Sequence, residues 1–204
     1  MLGVHLDVED YVKRLQAELD RLDRAEVTGL ADAIYEAWEN QRFVFIFGNG
    51  GSATLASHLA EDLGKGCLRE ADLKDESKKR LKVISLTDNV GWLTAVGNDC
   101  GYDQLFVQQL MNYGGPGDLA IAISGSGNSP NVLGAVDWAN RHGLKTFGMT
   151  GFDGGKLKQC QETGLHVPLD DMGMVESIHA CVIHWVVDDL YARINREGRH
   201  GGPS

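Results

Sequence analysis

No apolar run in this chain approaches the roughly 20 residues that span a bilayer. The first residues, MLGVHLDVEDYVKR, carry acids where a secretion signal would be basic and then apolar, so a cytoplasmic protein with no membrane contact is expected. Cysteine is sparse: Cys67, Cys100, Cys160 and Cys181 lie far apart with no C-x-x-C spacing. That argues against a zinc knuckle or a disulfide framework and leaves reduced, structural thiols. Positive charge is short as well. Lys and Arg total 19 against 29 Asp and Glu, and the net charge of -10 argues against a nucleic-acid partner, whose phosphates need clustered cations. The one dense basic run, Lys78-Lys79-Arg80, follows Asp72, Asp75 and Glu76 and reads as a solvated loop. No internal repeat is long enough to use. A chain of 204 residues, 43% of them hydrophobic, can bury one sizeable core, so residues 1–204 are expected to form a single domain.

What the chain does contain is an alternation of apolar patterns. Val8, Tyr11, Val12, Leu15, Leu19 and Leu22 recur at helical spacing, and Val27, Leu30, Ala31, Ile34, Tyr35 and Trp38 do so again, giving two amphipathic helices within 7–40. The stripe of the first needs a partner, either on its own domain or across a subunit interface. Strands are expected at Phe43–Phe47, Leu81–Leu86, Leu119–Ile123, Leu144–Met149 and Leu165–Val167. The wholly apolar Leu119–Ile123 suits the buried middle of a parallel sheet. Between them, Gly64 to Arg80 reads as a loop, Val90 to Val96 as a short helix, Gly97 to Gly101 as a turn, and Asp103 to Met111 and Asn131 to His142 as helices. A terminal helix from about Met174 to Arg196 gathers Ile178, Val182, Ile183, Val186, Val187 and Leu190 on one face, with His179 inside it. The glycine-rich tail EGRHGGPS is expected to fray. Strands alternating with helices imply right-handed crossovers and a doubly wound α/β sandwich.

Two strand-to-helix turns carry the chemistry. Gly48-Asn49-Gly50-Gly51-Ser52 follows the first strand, and Ser124-Gly125-Ser126-Gly127-Asn128-Ser129 follows the third. Glycines let backbone N–H groups come close to a ligand, a helix start favours an anion, and Ser and Asn side chains add donors. Ligands bind at that edge of open α/β sheets, so both turns read as a phosphate grip. Neither fits G-x-x-x-x-G-K-[ST], which argues against a nucleotide triphosphatase, and the dinucleotide fingerprint has Ala53 where its third glycine belongs. His58 and Asp62, at i and i+4, share one helical face, while Glu176 and His184 lie roughly two turns apart along one edge of the terminal helix. These two imidazoles and two carboxylates could hold a divalent metal, or act as general acid and base without one.

GNGGS followed by H-x-x-E-D, Gly97-Asn98-Asp99, SGSGNSPN, TGFDGG and the terminal E-x-x-H-x-x-x-x-H together resemble the sugar isomerase (SIS) domain. Within it they resemble the phosphoheptose, or sedoheptulose 7-phosphate, isomerases, over nearly the whole chain. The resemblance implies a three-layer αβα sandwich of flavodoxin-like kind, a five-stranded parallel sheet preceded by two N-terminal helices, and a homotetramer with sites at subunit interfaces. It implies an isomerase that takes sedoheptulose 7-phosphate to D-glycero-D-manno-heptose 7-phosphate through an enediolate. Carried over by motif, Ser52, Ser124, Ser126 and Ser129, within turns that also hold Asn49, Gly50, Gly51, Gly125 and Asn128, would bind the sugar phosphate, and Asp99 would bind sugar hydroxyls. His58, Asp62, Glu176 and His184 are the implied zinc ligands, and Asp62, Glu176 and His184 the implied catalytic set.

The match has departures. Asp62 stands where the family has a glutamate, so that either the substrate sits nearer the helix or Glu176 takes the base role; Glu176 stands where the family has a glutamine ligand, and Gly125 where the heptose enzymes have a threonine. An acid that the family carries just before the terminal helix falls at Gly173 here, with Asp170 and Asp171 nearby. Substrate identity is what these changes bear on. The alternatives are an isomerase for a different ketose phosphate and a non-catalytic SIS protein that binds a sugar phosphate or serves as a DnaA-binding adaptor. The side chains kept at His58, Glu61, Asp62 and His184 favour the enzyme.

Overall fold

In the computed structural model, which describes residues 2–201, helices α1 (Val8–Arg21) and α2 (Arg24–Glu39) precede strand β1 (Phe43–Gly48). Then come α3 (Gly51–Glu61), β2 (Lys82–Ser85), α4 (Val90–Asp99), α5 (Val107–Tyr113), β3 (Leu119–Ser124) and α6 (Pro130–Arg141). The chain continues with β4 (Lys145–Thr150), α7 (Leu157–Cys160), β5 (Thr163–His166) and α8 (Met172–Asn195). The strands pair in the order β2-β1-β3-β4-β5, all parallel. All six residues of β3 are buried, as its continuous apolarity predicts for a central strand.

Side chains alternate across a pleated sheet, and here the alternation divides the core in two. Val44, Ile46, Ile121, Ile123, Phe147 and Met149 pack with α2, α3 and α8 on one face. Phe45, Phe47, Ala120 and Ala122 pack with α5, α6 and α7 on the other. Several helix starts are fixed by side-chain caps: Asp23 Oδ1 accepts from Ala25 N–H at 2.8 Å, Asn89 Oδ1 from Trp92 N–H at 3.0 Å, and Asp171 Oδ1 from Met174 N–H at 3.0 Å. No helix among the described residues is long and apolar enough to cross a membrane.

Helix α1 finds its partner on its own chain. Tyr11, Leu15, Leu19 and Leu22 lie against the buried cluster of Val167, Leu169, Met174, Val175 and Ile178. Val8 and Val12, counted with that stripe in the sequence, instead face outward.

Four local expectations need correction. Helix α3 does not give way to a loop at Gly64, because it runs on through a π-helical turn, Asp62–Gly66. Leu59, Leu63 and Cys67 are all buried at four-residue intervals, whereas a regular helix drifts about 40° over each such step; the widened turn keeps them on the core. Gly97 to Asp99 belong to α4 rather than to a turn. The segment read as a helix from Asp103 splits into a 3₁₀ turn, Tyr102–Gln104, and α5. The tail is anchored as far as His200: buried Asp189 accepts from Arg199 Nη2 at 2.7 Å and His200 Nε2 at 3.0 Å, and pairs with Arg193 Nε at 2.6 Å. Burial pushes the Asp189 carboxyl up, but the bonds from His200 and Arg199 and the charge of Arg193 outweigh it and hold it below the usual range. The last three residues of the expected frayed tail lie outside the described residues.

Candidate active site

The strand order turns back on itself between β1 and β3, and a doubly wound sheet opens a crevice at such a point. Gly48 pairs with Ile123 in the register, so the turns that follow the two strands emerge side by side. They line a cleft of about 270 Å³ with Ser52, Ser124, Ser126 and Ser129 among its walls and Asn49, Gly50, Gly51 and Gly125 beside them. Ser52 and Ser124 are buried. Met172 and Glu176, from the first turns of α8, close one side of the cleft.

Two further features hold the turns in shape. Asn49 and Asn131 exchange side-chain amide bonds of 2.8 and 2.9 Å, and the Tyr102 hydroxyl donates to Asn49 Oδ1 at 3.1 Å. Gly127, at φ +64°, sits so close to the Gly154 carbonyl that a Cβ there would collide with backbone. Asn128 does not line the cleft: it is exposed, donates to the Ser126 carbonyl at 2.9 Å and accepts from Lys156 N–H at 3.2 Å, so it staples the loop. Asp99 also stays away, exposed at the end of α4 with a bond from Asn98 Nδ2 at 2.7 Å.

The first turns of α8 cover three glycines, one from each of three strand-to-helix turns. Met172 lies over Gly125, Val175 over Gly151, and Glu176 over Gly51. The sequence pattern assigned Gly51 and Gly125 to ligand approach and gave Gly151 no role beyond its turn; close packing of a helix on all three is a further cause. It also missed Asn131 and Met172, of which only Asn131 carried a signal, as the last residue of the SGSGNSPN motif.

Helices α3 and α8 touch again farther along. His58 Nε2 lies 3.4 Å and His184 Nδ1 3.8 Å from Asp62 Oδ2, and the two imidazole rings meet edge to face with centroids 4.9 Å apart. His58 and His184 are half exposed, which leaves the cluster open to a ligand. One donor atom from each of the three residues falls within 4.8 Å of the others. Two imidazoles and a carboxylate suit Zn²⁺, which takes N and O ligands and in catalytic sites keeps an open position. Glu176 does not join this group. Its carboxylate is at the cleft end of α8, two turns from His184. His179, between them in sequence, is buried in the core; burial pushes its imidazole down to about 4, and its Nε2 lies 3.3 Å from the Thr150 carbonyl.

Comparison with known proteins places the chain in a family. The SIS domain profile covers residues 9–151. The phosphoheptose isomerase of Helicobacter pylori (strain P12) is 40% identical over 155 residues, 76% of this chain and 77% of that protein. The phosphoheptose isomerase of Rhodospirillum rubrum is 38% identical over 160 residues, 78% and 80% of the two chains. The phosphoheptose isomerase structure from Francisella tularensis superposes with a TM-score of 0.79 at 28% identity, covering 90% of this chain and 95% of that one. The Neisseria gonorrhoeae phosphoheptose isomerase structure gives 0.78 at 29% identity, with 87% and 91% covered. With a doubly wound sheet, a serine and glycine cleft at its switch point and these relatives, the chain belongs to the SIS domain family, among the phosphoheptose isomerases.

Proposed function

We propose that the protein is an aldose–ketose isomerase that converts sedoheptulose 7-phosphate to D-glycero-D-manno-heptose 7-phosphate. The observation that carries this reading is the His58–Asp62–His184 cluster, placed along the same two helices that frame the serine-lined cleft. The cleft supplies hydroxyls and backbone N–H groups to a phosphoryl group, and the cluster supplies a carboxylate and imidazoles to the carbonyl end. The relatives named phosphoheptose isomerase support the choice of sugar.

In the proposed reaction Asp62 removes a proton from the carbon beside the carbonyl. The electron pair moves onto the carbonyl oxygen as an enediolate, which takes a proton from a ring nitrogen of His184. The neighbouring hydroxyl then returns a proton to His184, and Asp62 places its proton on the former carbonyl carbon, so no oxidant or reductant is needed. His58, Asp62 and His184 are the residues that would hold a zinc ion, which when bound would polarise the sugar oxygens. Whole-chain action as a single domain, a cytoplasmic location and a homotetramer belong to the same proposal. The outward-facing Val8, Val12 and Trp185 are consistent with a subunit interface.

The test is conversion of sedoheptulose 7-phosphate by the purified chain and its Asp62→Asn variant, with metal content measured on both. The native chain is expected to turn over and the variant to lose activity by about 100-fold or more. Full activity in the variant would remove Asp62 from the mechanism.

A further inference from the structure

Glu176 is the feature of the cleft that a phosphate site does not call for. It places a carboxylate against the first turn of α3, where an anionic ligand would dock. A Cβ built on Gly51 would stand 2.5 Å from Glu176 Oε1 and 2.8 Å from Oε2, so the carboxyl group rests on the bare backbone of that glycine. Gly51 opens α3, whose N-terminal N–H groups and dipole attract negative charge. The same carboxylate lines the cleft with Ser52, Ser124 and Ser129, and neither Lys nor Arg is among the residues that line it. A dianion entering this cleft meets favourable donors and one fixed negative charge, and it cannot occupy the face of Gly51 until that charge has moved.

We infer that Glu176 is a resident anion of the cleft: its carboxylate covers the Gly51 turn when no ligand is bound, and an incoming phosphoryl group displaces it. The inference rests on the reading of the cleft as a phosphoryl site. Glu176 is then a specificity-determining residue that weakens the grip on small anions. A ligand must bring contacts beyond its phosphoryl group to offset the displacement, which disfavours inorganic phosphate and sulfate against a sugar phosphate. No covalent step is involved.

The probe is inorganic sulfate, a dianion across the neutral range, exchanged for chloride at constant ionic strength. Its dissociation constant is read by calorimetry and by the concentration dependence of thermal unfolding on the native chain, Glu176→Gln and Glu176→Ala. Two unit charges 4 Å apart in water repel by an energy worth about a factor of five in binding, and a dianion roughly squares that factor. Both variants are therefore expected to bind sulfate about tenfold or more tightly than the native chain. Equal or weaker sulfate binding in the variants would overturn the displacement by Glu176 while leaving the cleft as an anion site. Absence of sulfate binding in all three proteins would overturn the phosphoryl reading of the cleft as well.

Discussion

Acid should loosen this protein through His179, a residue outside the chemistry. The ring is fully enclosed on α8, and burial lowers its value from the ordinary imidazole value of about 6.5 to about 4. In the unfolded chain His179 takes a proton as the pH falls below about 6.5, whereas the folded chain resists until about 4. The unfolded state thus binds more protons across that window, and stability falls as the pH is lowered through it. A shift of this size is worth about 3 kcal/mol, a large share of a typical 5–15 kcal/mol total. The urea midpoint should drop by about 1–3 M over the window from this group alone. His179→Gln, which takes no proton, isolates the effect from the carboxylates that titrate nearby. Urea unfolding of both proteins at several pH values between 4 and 7 should show the native curve falling more steeply. Parallel curves for the two proteins would refute the reasoning.

Gly127→Ala puts a side chain at positive φ against the Gly154 carbonyl, and backbone cannot swing aside as a long side chain can. A loss of at least about 2 kcal/mol is expected, read as a melting point lower by about 4–8 °C, together with weaker sulfate binding; an unchanged melting point would contradict the close approach. Asp189→Asn leaves Arg193 and the tail residues without their shared carboxylate, and a loss of about 3 kcal/mol is expected in urea unfolding. Protease cleavage after Arg196 or Arg199 should speed up in that variant, and an unchanged cleavage rate would mean that the clamp does not hold the tail.

Much of this fold was legible because its sheet is simple. Five apolar runs bounded by turns sufficed for five strands, and the two glycine turns could be placed at one edge without knowing the order of the strands. Where local pattern failed, a distant contact had decided the conformation. The π-helical turn exists because Leu63 and Cys67 must both reach the core, and nothing in DLGKG announces it. The tail is ordered by Asp189, an acid on a helical face that is covered by Arg199 and His200, ten and eleven residues away. The site shows the same division. His58 and Asp62 share a face by their helical spacing, and the packing of α8 on α3 brings His184 beside them. Glu176 was grouped with them on the same logic, yet it reaches Gly51 instead, because its neighbours on α8 pack onto glycines of the cleft.

Ser52 of the cleft and His58 of the cluster stand on one helix, α3, and the His58 and His184 rings hold α8 against it, so the cleft and the cluster are carried by the same pair of rods. Six residues separate Ser52 from His58, about 9 Å along the axis at about 1.5 Å per residue. Neither end can shift without carrying the other, which makes the pair a ruler. A carbon skeleton shortened by two bonds of about 1.5 Å each, seated by its phosphoryl group in the proposed site, would reach less far toward Asp62. Discrimination among sugar phosphates by length would then need no dedicated pocket wall, and changing the preferred length would require re-registering one helix against the other.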